Sequence, residues 1–154
     1  YHKQFIYDKW FKEYADYYRG YDTLPTPGER EKVIARASKN LRDFGKLLKL
    51  MNDNKVKLLV SADDELPVPG FSLMEEMKLY KEAGISNYDI LTAATYNAAS
   101  FFNAHGEFGT VSKGKKANLV LLDKNPLEDI ENVKTVYGTF IGGRFLKPAD
   151  LLKK

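Results

Sequence analysis

Residues 57–72, KLLVSADDELPVPGFS, limit the fold more than any other stretch of this chain. Leu58, Leu59 and Val60 form an apolar run that stops at two adjacent carboxylates, Asp63 and Asp64, and a proline-containing loop then leads into a helix. An apolar run without polar alternation suits a strand buried on both faces, as in a parallel sheet. The C-terminal end of such a strand presents its residues to a pocket. The reading is therefore an α/β chain in which strand 56–61 carries Asp63 to that edge.

The flanking pattern supports an α/β unit. Residues 3–19 are helical by spacing, with Ile6, Trp10, Tyr14 and Tyr17 on one face. That face serves either as packing against a core or as an aromatic binding surface centred on Trp10. After a loop over 20–28, Thr26-Pro27-Gly28-Glu29 has the form of a capping box. It opens a second helix, with Val33, Ala37, Leu41, Phe44, Leu48 and Met51 along one face to about Asn54. Ser72-Leu73-Met74-Glu75 is a second capping box, opening a helix that carries Leu73, Met77 and Tyr80 and ends at Gly84. Ser86 caps a further helix, with Ile90, Ala93, Ala94, Tyr96, Asn97 and Phe101 along it to about Asn103.

Beyond His105 the texture changes to short β-like runs at Phe108–Val111, Ala117–Asp123, Val133–Ile141 and Arg144–Leu146. Gly142-Gly143 is a two-residue hairpin signal. The expected division is an α/β part over 1–104 and a β part over 105–154.

At 154 residues and 44% hydrophobic content the chain can build one core. The formal charge of +3 is spread along the helices without a run of like charge, so neither a nucleic-acid nor a membrane partner is expected. No window is apolar for long enough to span a bilayer, and no charged-then-apolar leader opens the chain. A soluble protein is the expectation; the compartment is left open, cytoplasmic being slightly favoured over a protein with a removed leader, since the chain starts at Tyr1. The absence of cysteine excludes disulfides, thiolate metal sites and a cysteine nucleophile.

Asp63 can accept a proton from water or bind a metal through oxygen. Asp63 and Asp64 can equally be loop acids capping backbone amides near Leu66. A complete metal centre needs three or four ligands, and the only histidines, His2 and His105, form no paired motif. Gly114-Lys115-Lys116 lacks the spacing of a phosphate-binding loop, and Ser61 has no histidine placed to activate it.

Four pieces, in order, resemble the C-terminal part of the metal-dependent amidohydrolase superfamily, especially its imidazolonepropionase-like and prolidase-like members. They are LLVSAD at 58–63, VPGFSLMEEM at 68–77, LTAATYNAA at 91–99 and FGTVSKGKKANLVLLDKNPLEDI at 108–130, and IGGRFL at 141–146 fits the closing hairpin. The resemblance implies a C-terminal fragment of a (β/α)8 barrel, its last strand and helices, followed by part of a small β-sandwich. It implies that Asp63 binds metal and shuttles a proton in hydrolysis of an amide, cyclic amide or dipeptide.

The same resemblance implies a divalent metal, zinc by preference, in a larger parent protein. The family's HxH, its bridging ligand and its two later histidines have no counterpart in this chain. Ser61-Ala62 stands where Gly-Thr is usual, Met74 where many members have His, and Asp64 where a small residue is common. The chain alone is therefore expected to be inactive and to hold no metal. Apolar surfaces facing missing strands would be covered by self-association or by an upstream fragment. The alternative is a non-catalytic, degenerate amidohydrolase-like module used for packing or binding.

Overall fold

The computed structural model describes residues 27–61 and 70–150. The aromatic segment 3–19, Thr26 of the first capping box, and both Asp63 and Asp64 lie outside the described residues.

Helix α1 spans Pro27–Asp53, with proline at the first helical position, where its missing N–H leaves no bond unmade. Its apolar face packs only in part. Leu48 and Met51 join the core, whereas Leu41 and Phe44 are 50% and 64% exposed. A helix of this length extends about 40 Å. Gly45 marks the crossing with the next helix, since a Cβ there would lie 3.5 Å from the Ala83 Cβ.

Segment 56–61 was expected as a strand. It carries the expected burial, with Leu58 and Val60 inside, but pairs with no other strand among the described residues. A strand is made by its ladder partners, and here side chains from the helices take the backbone groups instead. Helix α2, Phe71–Glu82, begins two residues earlier than the second capping box requires. Gly70, at φ 86°, holds the cap position, so Ser72 falls in the first turn.

Helix α3, Asn87–Thr92, starts as expected, with Ser86 Oγ accepting the Asp89 N–H at 3.1 Å. It passes without a break into a π-helical turn, Ala93–Asn97, and then α4, Ala98–Phe101. Three helix ends close in the same manner. At Lys55, Gly84 and Asn103, all at positive φ, the following amide reaches back five residues, as in Val56 to Met51 (3.0 Å), Ile85 to Tyr80 (3.1 Å) and Ala104 to Ala99 (2.7 Å). Lys55 occupies this left-handed position, φ 62°, at a steric cost that glycine avoids. Lys55→Gly is expected to raise the unfolding free energy by about 0.5–1 kcal/mol in a urea titration, after the greater freedom of glycine in the unfolded chain is counted.

The core consists of Leu58, Val60, Met77, Tyr80, Ile85, Ile90, Ala93 and Ile130. Ile130 comes from a 3-10 helix, Ile130–Lys134, so the later part of the chain packs into the helical core. Asn87 Nδ2 donates to Leu127 O at 2.9 Å, and Lys134 bridges Glu75 (2.9 Å) and Glu131 (2.7 Å).

Strands β1 (Leu119–Leu122), β2 (Val136–Ile141) and β3 (Arg144–Leu146) form an antiparallel sheet in that order, with a bulge between Leu121 and Leu122. Gly142 and Gly143, both at positive φ, make the expected hairpin, and Asn118 Oδ1 holds the Gly142 N–H at 2.7 Å. Two expected strands change. Phe108–Val111 forms bends rather than a strand, because Gly109 docks against the π-helical turn. Val133 belongs to the 3-10 helix, so β2 begins at Val136. Large apolar side chains remain exposed on both halves, among them Phe44, Phe102, Val120 and Ile141.

Candidate functional site

The segment 56–61 leads directly to Asp63, and the structure shows how its end is held. Two side chains from the helices bind its backbone. Asn97 Nδ2 donates to Leu58 O at 2.9 Å, and Tyr80 Oη donates to Leu59 O at 2.7 Å. Glu76 and Tyr80 lie one turn apart on α2 and so share a face. Asn97 ends the π-helical turn, where an extra residue per turn changes the direction of the side chains.

The electrostatics follow from this packing. Burial raises the Glu76 carboxyl above the usual glutamate range, and the Ser61 amide opposes that rise only in part. Burial also raises the Tyr80 phenol, with the Glu76 charge adding to the effect. Ser61 itself is exposed. It opens, with Glu76 and Tyr80, onto a groove of about 1010 Å³ between α1 and α2. A second cleft of about 960 Å³, between the helices and the sheet, is lined chiefly by apolar residues such as Met74, Met77, Leu91 and Phe140.

Of the residues singled out from sequence, Asp63, Asp64 and His2 lie outside the described residues. His105 is exposed after α4, and its carbonyl accepts Lys115 Nζ at 2.6 Å. Met74 faces the apolar cleft. Among the described residues no group of three or more His, Asp or Glu side chains is placed to hold a metal ion, so they do not fit a metal centre. No helix among them is long and apolar enough to cross a membrane. Neither Tyr80 nor Asn97 stands out in the sequence as a group that binds backbone, since both read as members of apolar helix faces.

Residues 23–146 match the sequence model of the Amidohydrolase family, and the chain belongs to that family. It is 42% identical over 60 residues to the imidazolonepropionase of Thermoanaerobacter pseudethanolicus, a match covering 36% of this chain and 14% of that enzyme. A protein of Bifidobacterium longum assigned to the prolidases aligns at a TM-score of 0.59 and 27% identity, over 64% of this chain and 25% of that one. A Xaa-Pro dipeptidase with methionine bound in its active site aligns at 0.62 and 21% identity, over 67% and 25%, a likeness of fold alone. The chain thus spans a quarter or less of the length of these relatives. The mixture of helices and sheet is that of an amidohydrolase-like fold.

Proposed function

We propose that this chain is the C-terminal portion of a larger amidohydrolase that hydrolyses a C–N bond in an amide, cyclic amide or dipeptide. The observation carrying this reading is the family match, which runs unbroken from α1 to the closing hairpin. In this reading 56–61 is the last strand of a (β/α)8 barrel, residues 1–104 belong to the barrel, and 105–154 belong to a composite β-sandwich. Asp63 accepts the proton of the attacking water and delivers it to the leaving nitrogen. A divalent metal, zinc by family resemblance, belongs to the assembled enzyme, and ligands from outside this chain complete its site.

The test reads the gene upstream of Tyr1 and assays its full product beside this chain. The expected upstream sequence contains an HxH and two later spaced histidines. The full product, supplied with zinc, should hydrolyse amide or dipeptide substrates, and Asp63→Asn should lower kcat by about 10²- to 10⁴-fold. The chain alone should show no turnover with zinc. Turnover by the chain alone at ordinary metalloenzyme rates would overturn the reading. Met74, half-buried in an apolar cleft where many family members have His, favours a second reading as a non-catalytic module. A start codon directly before Tyr1 would select that one.

A further inference from the structure

We infer that the face between α1 and α2 is the surface through which two copies of this chain associate, about a twofold axis that runs along the groove. The two walls of this groove differ in charge. On α1, Arg42, Lys46 and Lys49 stand at i, i+4 and i+7 and so form one row, with Asp53 as the single acid of that wall. On α2, Glu75, Glu76 and Glu82 line the groove and no base does. The same groove carries Leu41, Phe44 and Leu79, which are 50%, 64% and 38% exposed. An apolar strip rimmed by charge is the composition of an association surface.

The charges select the occupant. A partner covering this groove must bring acids to the α1 wall, bases to the α2 wall and apolar side chains to the strip. A second copy of the chain does all three. In a twofold contact the same patch serves on both sides. With the axis along the groove, α1 of one copy lies on α2 of the other, and the base row meets the acid wall twice. With the axis across the groove, α1 would lie on α1 and like charges would oppose each other. The existing ion pairs leave these charges available. Lys46–Asp43 (3.3 Å), Lys49–Asp53 (2.6 Å) and Lys78–Glu82 (3.9 Å) join exposed side chains, and such pairs contribute little and exchange readily. Glu75 keeps its bond to Lys134, at 2.9 Å on the far side of the chain from α1 in sequence, and adds its charge to the wall without moving. Phe44 is the central anchor, because a large exposed aromatic side chain gains most from being covered. The inference does not depend on the role of Asp63 or on hydrolysis.

Analytical ultracentrifugation of the whole chain tests this. At about 50 μM the chain should sediment as a dimer, and raising the salt to about 0.5 M should weaken the dimer several-fold. Phe44→Asp should raise the dissociation constant by about tenfold or more with the urea midpoint of the monomer unchanged, since the side chain is exposed in a single copy. Arg42→Glu and Glu82→Lys should each weaken self-association by about tenfold. An equimolar mixture of those two variants should recover a dimer, because the reversed charges then face each other across the axis. A monomer at 50 μM overturns the inference, and so does a dimer that none of the three substitutions weakens. A mixture no tighter than either variant alone overturns the placing of α1 on the partner's α2, and with it the inference. In the full gene product the same substitutions should weaken association in the same order. A monomeric full product that Phe44→Asp destabilises towards urea would assign the groove to the upstream part of the protein and overturn the inference, while the reading as a C–N hydrolase would stand.

Discussion

Ile90→Ala is expected to lower the unfolding free energy by about 4 kcal/mol, near the upper end of the range for a buried Ile-to-Ala change. Ile90 is 0% exposed, and it lies in the cluster of Leu58, Val60, Met77, Tyr80, Ile85, Ala93 and Ile130. That cluster joins three parts of the chain: the extended segment, the helices and the 3-10 helix. The space left by the lost carbons cannot close by a single side-chain shift, because the surrounding groups belong to separate elements. Tyr88→Ala, on the same helix but 68% exposed, should change stability by no more than about 0.5 kcal/mol. Urea unfolding followed by far-ultraviolet circular dichroism measures both. Equal effects from the two substitutions would show that the cluster is not the core of the chain.

Some local signals in the sequence transferred, although the Ser72–Glu75 capping box did not, since Gly70 takes the cap position. Ser86 with Asp89, and Gly142-Gly143, depend on bonds within a few residues, and they stand where the spacing placed them. The same is true of the helix end at Gly84. Features set by distant contacts did not transfer. The apolar run at 58–60 reports that the segment is buried, whereas pairing depends on where other strands lie, and none comes beside it among the described residues. The face from Leu41 to Met51 reads as uniform, yet among the described residues Leu48 and Met51 pack on the core while Leu41 and Phe44 are exposed. The π-helical turn has no distinct periodicity over five residues, and the α-helical pattern continues through it. Glu76 was hidden for a related reason. Two adjacent glutamates on a helix carry no local sign of burial, yet Glu76 is half-buried while Glu75 is exposed. The chemistry of Asp63 came only from family resemblance, because an acid at a strand end has equal physical reason to cap a loop.

Gly109→Ala is expected to cost about 3 kcal/mol, and the origin of that cost can be separated into two parts. The first is backbone conformation: Gly109 has φ +87°, and an alanine there carries about 1–2 kcal/mol of strain. The second is the docking of the chain against the π-helical turn. A Cβ on residue 109 would lie 2.8 Å from Ala99 Cβ, 3.0 Å from Tyr96 Cα and 3.2 Å from Thr95 O. Two of these atoms are backbone, so relief requires moving the helix, at about 1–3 kcal/mol for overpacking. Gly114 supplies the control, since it has φ +89° but nothing within 4 Å of the added carbon. Gly114→Ala should therefore carry the conformational cost alone, and the difference between the two variants measures the docking. Ala99→Gly in the Gly109→Ala background should recover part of that difference, giving a coupling of at least about 0.5 kcal/mol in a double-mutant cycle. If the two glycine variants lose equal stability, the contact with the π-helical turn contributes nothing. The bends at 108–111 would then owe their shape to backbone preference alone.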